Sequence, residues 1–313
     1  MAADPLQTSE VTSEYRSGFV GLIGKPNVGK STILNAFVGR KVSITSPRPQ
    51  TTRHRILGIL TRPEAQVIFI DSPGWHKPQH PLGRYLVRVA TGVVEEADVL
   101  LAVTDAAAGM TREDEWVFER VRQANRPSIL AINKIDLIHK RLVLPMLSSC
   151  ATLKLFEELI PVSAVTGDNM DRLLTQLIAR LPHGPRWYEP EQLTDQSTDQ
   201  VIREFIREQV LRATRQEVPH AVAVLLDAVT SKEGTSPARG VTVIQATILV
   251  EREGQKAIII GSKGQMLKQI GTASRLELER WLGRRVFLDL WVKVARDWRK
   301  HPATLRQLGY EPR

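Results

Sequence analysis

Residues Gly24-Lys25-Pro26-Asn27-Val28-Gly29-Lys30-Ser31 decide how this chain is read. They follow the apolar run Phe19-Val20-Gly21-Leu22-Ile23 and precede a segment of helical character, Thr32 to Val38. A strand, a G-x-x-x-x-G-K-S loop and a helix start are the context a phosphate-binding loop requires. The glycines let the loop curl so that several backbone N–H groups point inward, and the helix N-terminus adds positive potential. Lys30 is then placed to reach the β/γ-phosphates, and the Ser31 hydroxyl to ligate Mg²⁺. The stretch predicts a bound nucleoside triphosphate and leaves the base open.

The bulk numbers bound the rest. At 313 residues the chain is long enough for two domains with cores of their own. Apolar content of 42% and charged content of 25% are ordinary for a globular protein. No apolar run reaches the length of a membrane span, and Met1 to Glu10 has no apolar signal-peptide core. A single cysteine, Cys150, excludes an internal disulfide framework and fits a reducing compartment, so a cytoplasmic location is expected. The net charge of +9 is unevenly spread: residues 1–200 carry 23 Lys+Arg against 22 Asp+Glu, whereas residues 201–313 carry 20 against 12. An excess confined to the C-terminal third points to a polyanionic partner, nucleic acid rather than membrane.

Residues 1–16 read as a leader. Strands are predicted at Arg55 to Leu60, Val67 to Ile70, Val99 to Val103, Ser128 to Ile132 and Leu159 to Val162. Between them come helices at Leu82 to Glu95, from Thr111 (a capping-box start with Asp114) to Asn125, across Val143 to Leu147, and at Asn169 to Leu181. That alternation predicts an α/β domain over residues 17–183, with helices on both faces of a mostly parallel sheet. Pro182-His183-Gly184-Pro185 stops the pattern, and 184–200 reads as a linker. Residues 201–313 form the second domain: a helix at about Gln200 to Gln216, strands near Ala221 to Val229 and Val241 to Glu251, a helix at Gln265 to Leu282, and a strand at Leu288 to Val294.

Two further motifs refine the nucleotide. Asp71-Ser72-Pro73-Gly74 ends a buried strand about forty residues after the loop, where an Asp holds Mg²⁺ and a glycine N–H reads the γ-phosphate. Asn133-Lys134-Ile135-Asp136 ends another. The Asp136 carboxylate can accept both N1–H and the N2 amino group of guanine, and adenine offers no such pair, so GTP is expected over ATP. Ser163-Ala164, after the next strand, is a candidate backbone donor to the guanine oxygen.

G-K-P-N-V-G-K-S, D-S-P-G, N-K-I-D and S-A in this order resemble the translation-factor-related GTPases. The loop Pro49-Gln50-Thr51-Thr52-Arg53-His54-Arg55 is similar to switch I of the Era family of ribosome-assembly GTPases. The resemblance implies that Thr52, rather than Thr51, completes the Mg²⁺ shell, and that Asn27 ligates a K⁺ ion beside the phosphates. Lys30, Thr52 and Gly74 are the residues it assigns to catalysis. Ras-like enzymes orient the attacking water with a glutamine after the Gly74 position, whereas Trp75 stands there in this chain. Slow or assisted hydrolysis is therefore expected. No catalytic role is assigned to His76.

Gly261-Ser262-Lys263-Gly264, with Lys268 on the following helix, is a G-x-x-G loop inside the basic domain. Two glycines allow a close approach to a sugar-phosphate backbone, and Lys263 supplies charge. The setting resembles a type II KH domain, an α+β RNA-binding fold. That resemblance requires a helix at Ala257-Ile258-Ile259-Ile260, although β-branching favours a strand there. Trp291, Trp298 and the Arg296, Arg299, Lys300 cluster are candidates for added stacking and phosphate contacts, with Trp281 and Trp291 also suited to core packing. The Ser231 to Gly240 loop is longer and richer in Ser, Gly and Pro than the resemblance suggests.

Taken over about 18–310, the resemblance implies a P-loop GTPase domain followed by a KH domain, using GTP/GDP with Mg²⁺ and K⁺. The implied partners are the 3′ end of 16S rRNA and the 30S subunit, with no DNA and no small-molecule substrate besides GTP. Peripheral contact with the inner face of the cell membrane is a further implication. Two alternatives stay open at this point: a GTPase acting on another RNA, such as an RNA-modification factor, and an RNA-binding protein with little GTP turnover.

Overall fold

A computed structural model describes residues 14–48, 50–75, 81–214, 218–232 and 240–310. Most of the expected leader, Pro49 of the switch-like loop, His76 and the heart of the 231–240 loop lie outside the described residues. The chain forms two compact units: residues 1–43, 55–75 and 90–195 make the first, and 44–54, 76–89 and 196–313 the second.

The first unit is built on six strands: β1 (Arg16–Ile23), β2 (Ile56–Thr61), β3 (Ala65–Asp71), β4 (Val99–Asp105), β5 (Ser128–Asn133) and β6 (Glu158–Pro161). Their order is β2-β3-β1-β4-β5-β6, all parallel except the β2–β3 pair. β3, β4 and β5 are buried along their whole length, as expected of strands covered on both faces. The helices are α1 (Lys30–Val38), α2 (Pro81–Glu96, whose first half belongs to the second unit), α3 (Arg112–Ala124), α4 (Val143–Ala151) and α5 (Met170–Ile178). One core gathers Val20, Leu22, Ile33, Phe37 and Phe69 with Leu173 and Leu177, the Phe37 and Phe69 rings stacked at 4.9 Å. The predicted capping box starts α3: the Asp114 carboxylate accepts from the Thr111 backbone N–H at 2.9 Å. The stretch expected as a linker runs along this unit, where Gln66 accepts from the Trp187 and Tyr188 amides and Ile59 N–H donates to the Leu193 carbonyl.

In the second unit, α6 (Thr198–Ala213), β7 (Ala223–Lys232), β8 (Val241–Val250), α7 (Glu253–Ile260), α8 (Gln265–Leu282), β9 (Arg285–Val294) and α9 (Pro302–Gln307) follow in order. β7 pairs antiparallel with β8 and β8 parallel with β9, which is an edge strand. Phe205 and Trp281 meet edge to face at 6.4 Å between α6 and α8. Ala257 to Ile260 is helical, against its β-branched composition. The Gln255 side chain accepts from the Glu251 and Arg252 amides and caps the turn, and Gln255 and Ile259, four residues apart, are buried while Ala257 and Ile258 between them are both exposed, a helical and not a strand pattern.

Trp298 corrects an expectation. It is fully buried, and its indole donates to the Ala221 carbonyl at 2.8 Å. Arg299 is paired with Glu251 and Lys300 with Asp297. Burial gives the Trp298 ring to the core, whereas Arg296 and Lys300 stay on the exposed surface around it.

Candidate nucleotide site and RNA cleft

Why a glycine must precede Lys30 is visible in the first unit. A Cβ on Gly29, whose φ is +102°, would lie 2.2 Å from the Asn133 amide nitrogen. That amide group ties two motifs together, donating to the Val28 carbonyl at 2.9 Å and accepting from the Ala164 N–H at 3.1 Å. Lys134 makes a second tie, with Nζ 2.7 Å from the Asn27 carbonyl and 2.5 Å from Asp105 Oδ2. Asp136 follows, solvent-exposed in a single 3₁₀ turn. The Ser163 N–H donates to the Asp168 carbonyl, so the Ser163 and Ala164 amides are both engaged within the protein.

Lys30 is buried and arches back over its own loop, donating to the Gly24 and Lys25 carbonyls at 3.0 Å each. Burial pushes its ammonium down to about 8, against the pull of Asp71. Beside it, Ser31 Oγ donates to Asp71 Oδ2 at 2.5 Å, and Ser43 Oγ to the same oxygen at 2.8 Å. Two hydroxyls and a carboxylate converging on one point are hard oxygen donors, a set that fits Mg²⁺. Ser43 has no motif around it and was not legible in the sequence.

Ser72 and Pro73 are buried, and the Ser72 hydroxyl donates to the Leu22 carbonyl. Gly74 lies against the loop crest: a Cβ there would stand 2.6 Å from Pro26 N. Trp75 N–H donates to the Gly24 carbonyl at 3.3 Å, and the Arg120 guanidinium lies 5.5 Å from the centre of its buried ring. Lys25 turns away from the phosphate side, its Nζ 2.7 Å from Asp114 Oδ2 and 3.0 Å from Thr111 Oγ1. Asn27, with φ +65°, is exposed on the crest.

Thr52 is not part of this unit. The segment 44–54 belongs to the second, where Arg207 donates to the Thr51 carbonyl, Glu208 accepts from the Thr45 N–H and Arg53 donates to the Val222 carbonyl at 2.8 Å. The structure therefore brings Lys30, Ser31, Asp71 and Gly74 together in one unit and holds Thr52, itself buried, in the other.

In the second unit, Ser262 and Lys263 are exposed at the G-x-x-G turn ahead of α8. A cleft of about 390 Å³ runs beside it, lined by Gly264, Leu267, Lys268, Gly271, Thr272 and Arg275 of α8 and its approach and by Leu288 and Leu290 of β9. Apolar walls with cations at the mouth suit unstacked bases with their phosphates at the rim. Arg275 is partly neutralised by Glu279 at 3.0 Å, leaving Lys268 in the cleft wall and Lys263 on the adjoining turn as cations outside any ion pair among the described residues.

Comparison with known proteins finds relatives for both parts of the chain. Residues 19–134 match the family described as 50S ribosome-binding GTPase, and residues 217–299 match the KH domain. A GTPase Era of Syntrophus aciditrophicus (strain SB) is 45% identical over 296 residues, 95% of each chain. Among solved structures, Era in complex with MgGDPNP and nucleotides 1506–1542 of 16S ribosomal RNA is 41% identical, with a TM-score of 0.91 over 95% of this chain and 100% of that one. An Aquifex aeolicus Era variant bound to GDP·AlF4⁻ is 40% identical, with a TM-score of 0.90 over the same shares. Identity at this level along nearly the whole length places the chain in the Era family of GTPases.

Proposed function

We propose that this chain hydrolyses GTP to GDP and phosphate and binds 16S ribosomal RNA near its 3′ end, assisting assembly of the 30S subunit. The observation that carries this is the presence, in one chain, of the Lys30–Ser31–Asp71 cluster with Asp136 and of a G-x-x-G cleft in a basic domain. The relative solved with MgGDPNP and 16S RNA supports the same pairing of ligands.

Lys30 would exchange the Gly24 and Lys25 carbonyls for β- and γ-phosphate oxygens, whose charge restores the proton that burial weakens. The amides at the start of α1 would bind the β-phosphate. Ser31 and Asp71 would hold Mg²⁺, with Thr52 joining them in the GTP state; the ion neutralises charge on the phosphates. Gly74 N–H would meet the γ-phosphate, and Asp136 the guanine edge. Trp75, buried beneath Arg120, leaves no side chain there to orient water, so we assign the missing positive charge to K⁺ at Asn27. Capture of Thr52 by the nucleotide would repack the second unit, linking nucleotide state to RNA affinity.

The same reading places the protein in the cytoplasm. No helix among the described residues is long and apolar enough to cross a membrane. Residues 137–156 contain no acidic residue, and their exposed Leu137, Leu142 and Leu144 beside Lys140 and Arg141 suit peripheral contact with an anionic membrane face.

The test is GTP turnover in K⁺ and in Na⁺ buffer, with and without the 16S 3′ segment. Faster turnover in K⁺, lost in Asn27→Ala, and tighter RNA binding by the GTP-bound than by the GDP-bound protein are expected. Equal RNA affinity in both nucleotide states would overturn the switch.

A further inference from the structure

β9 has two faces with different environments. Leu288 and Leu290 point into the cleft, and strand alternation puts Arg285, Phe287, Asp289, Trp291 and Lys293 on the opposite face. On that outer face Phe287 is 59% exposed and Trp291 47%, an uncommon state for two large aromatics on one strand. They lie two residues to either side of Asp289, so their backbones stand about 13 Å apart. Arg285 and Lys293 frame them, both exposed and neither in an ion pair with any described residue. Beside Trp291, Thr247 of β8 donates to Asp227 at 2.7 Å, which fixes a polar edge to the patch.

We infer that this face is a second RNA contact, where bases of a single strand leaving the cleft stack on Phe287 and Trp291. The inference rests on the RNA-binding reading of the cleft and adds a surface to it. The edge position of β9 is what makes the path continuous: one strand walls the cleft with its even-numbered side chains and presents the aromatics with its odd-numbered ones. Aromatic rings accept any base on their faces, and the flanking cations take the phosphates. Asp289 and Asp227 weigh against a duplex, whose charged backbone they would repel. A single strand turns base edges to the surface, and a carboxylate accepts from the amino group of cytosine.

Stacking of this kind predicts length-dependent affinity. Fluorescence anisotropy would compare a short strand of the 16S 3′ end that fills the cleft, about four nucleotides, with the same strand extended by about four at one end or the other. Wild-type protein should bind one extended strand more tightly. Phe287→Ala and Trp291→Ala should each remove about fivefold or more of that gain and leave the short strand unaffected. Lys263→Asp should weaken both. A 2-aminopurine in the extension should be quenched by the wild type and bright with the double variant. Because both side chains are exposed, the variants should keep the wild-type melting temperature. Equal affinity of wild type for short and extended strands, or equal loss on both in the aromatic variants, overturns the inference. Absence of binding to any strand, with Lys263→Asp indistinguishable from wild type, overturns the RNA reading itself and the outer face with it.

Discussion

Lys25 Nζ lies 2.7 Å from Asp114 Oδ2, with the two side chains only 8% and 2% exposed. The same carboxylate caps α3 through Thr111, and the Lys25 carbonyl receives the Lys30 ammonium. One buried ion pair therefore joins the start of α3 to the crest of the phosphate loop.

Removing one partner of a buried pair leaves the other charge uncompensated, at a cost of about 3–5 kcal/mol. Asp114→Ala also loses the cap, so it should destabilise at least as much as Lys25→Met in urea titrations. Lys25→Arg should recover most of the loss. An unchanged midpoint in Lys25→Met would show that the pair contributes little.

Lys30 gives a prediction in pH. Its folded pKa of about 8 lies below the unfolded 10.5, so between these values the unfolded chain binds more protons. Stability of the nucleotide-free protein should therefore rise from this group as pH increases from about 8 to 10.5, by about 3 kcal/mol. Lys30→Met should remove that rise in chemical denaturation measured across the window. It should also abolish nucleotide binding in equilibrium titrations, because it removes the ammonium around which the loop is folded.

Asp136 should decide the base. Asp136→Asn replaces an acceptor pair with one acceptor and one donor, mismatching guanine but matching the 2-oxo group of xanthine. GTP affinity should fall by about a hundredfold or more, as for a site left with unpaired polar groups. Xanthosine triphosphate should bind the variant better than the wild type. Unaltered discrimination in competition assays would remove Asp136 from the base site.

His54 makes the second unit acid-sensitive. Its ring stacks on Tyr310 at 4.8 Å and lies 3.5 Å from the Tyr85 hydroxyl. Burial pushes its pKa down to about 4; Glu204 opposes this, and Arg207 and Arg53 reinforce it. The unfolded chain, titrating near 6.5, binds more protons between 4 and 6.5. Stability is thus fully present above pH 6.5 and falls as pH drops toward 4, by about 3 kcal/mol. His54→Phe should flatten that acid limb in thermal melts.

The strands of the first unit were legible because fully buried parallel strands need continuous apolar runs, and Val99 to Val103 and Ser128 to Ile132 are such runs, too short for a buried helix. The loop motifs were legible because backbone contact with phosphate demands glycine at set spacings. Ala257 to Ile260 was misleading on propensity alone, since three β-branched residues near a chain bend fold as helix once Ile259 has a core to enter. Trp298 offered the same surface chemistry in sequence as Trp291, and only packing separates the buried ring from the exposed one.

The sequence by itself determined the chemical expectations: a loop built to meet phosphate, a carboxylate placed to read guanine, and a basic C-terminal third suited to a polyanion. These follow from residue type and local spacing, which the chain carries wherever it folds. Tertiary structure decided the rest. It set Ser43 on Asp71, turned Lys25 from the phosphates to Asp114, and gave segment 44–54 to the unit that holds the RNA cleft. Those outcomes depend on which distant groups share a buried space, where an unpaired charge or donor costs several kcal/mol. Such costs bear on residues far apart in the chain, and no local pattern records them.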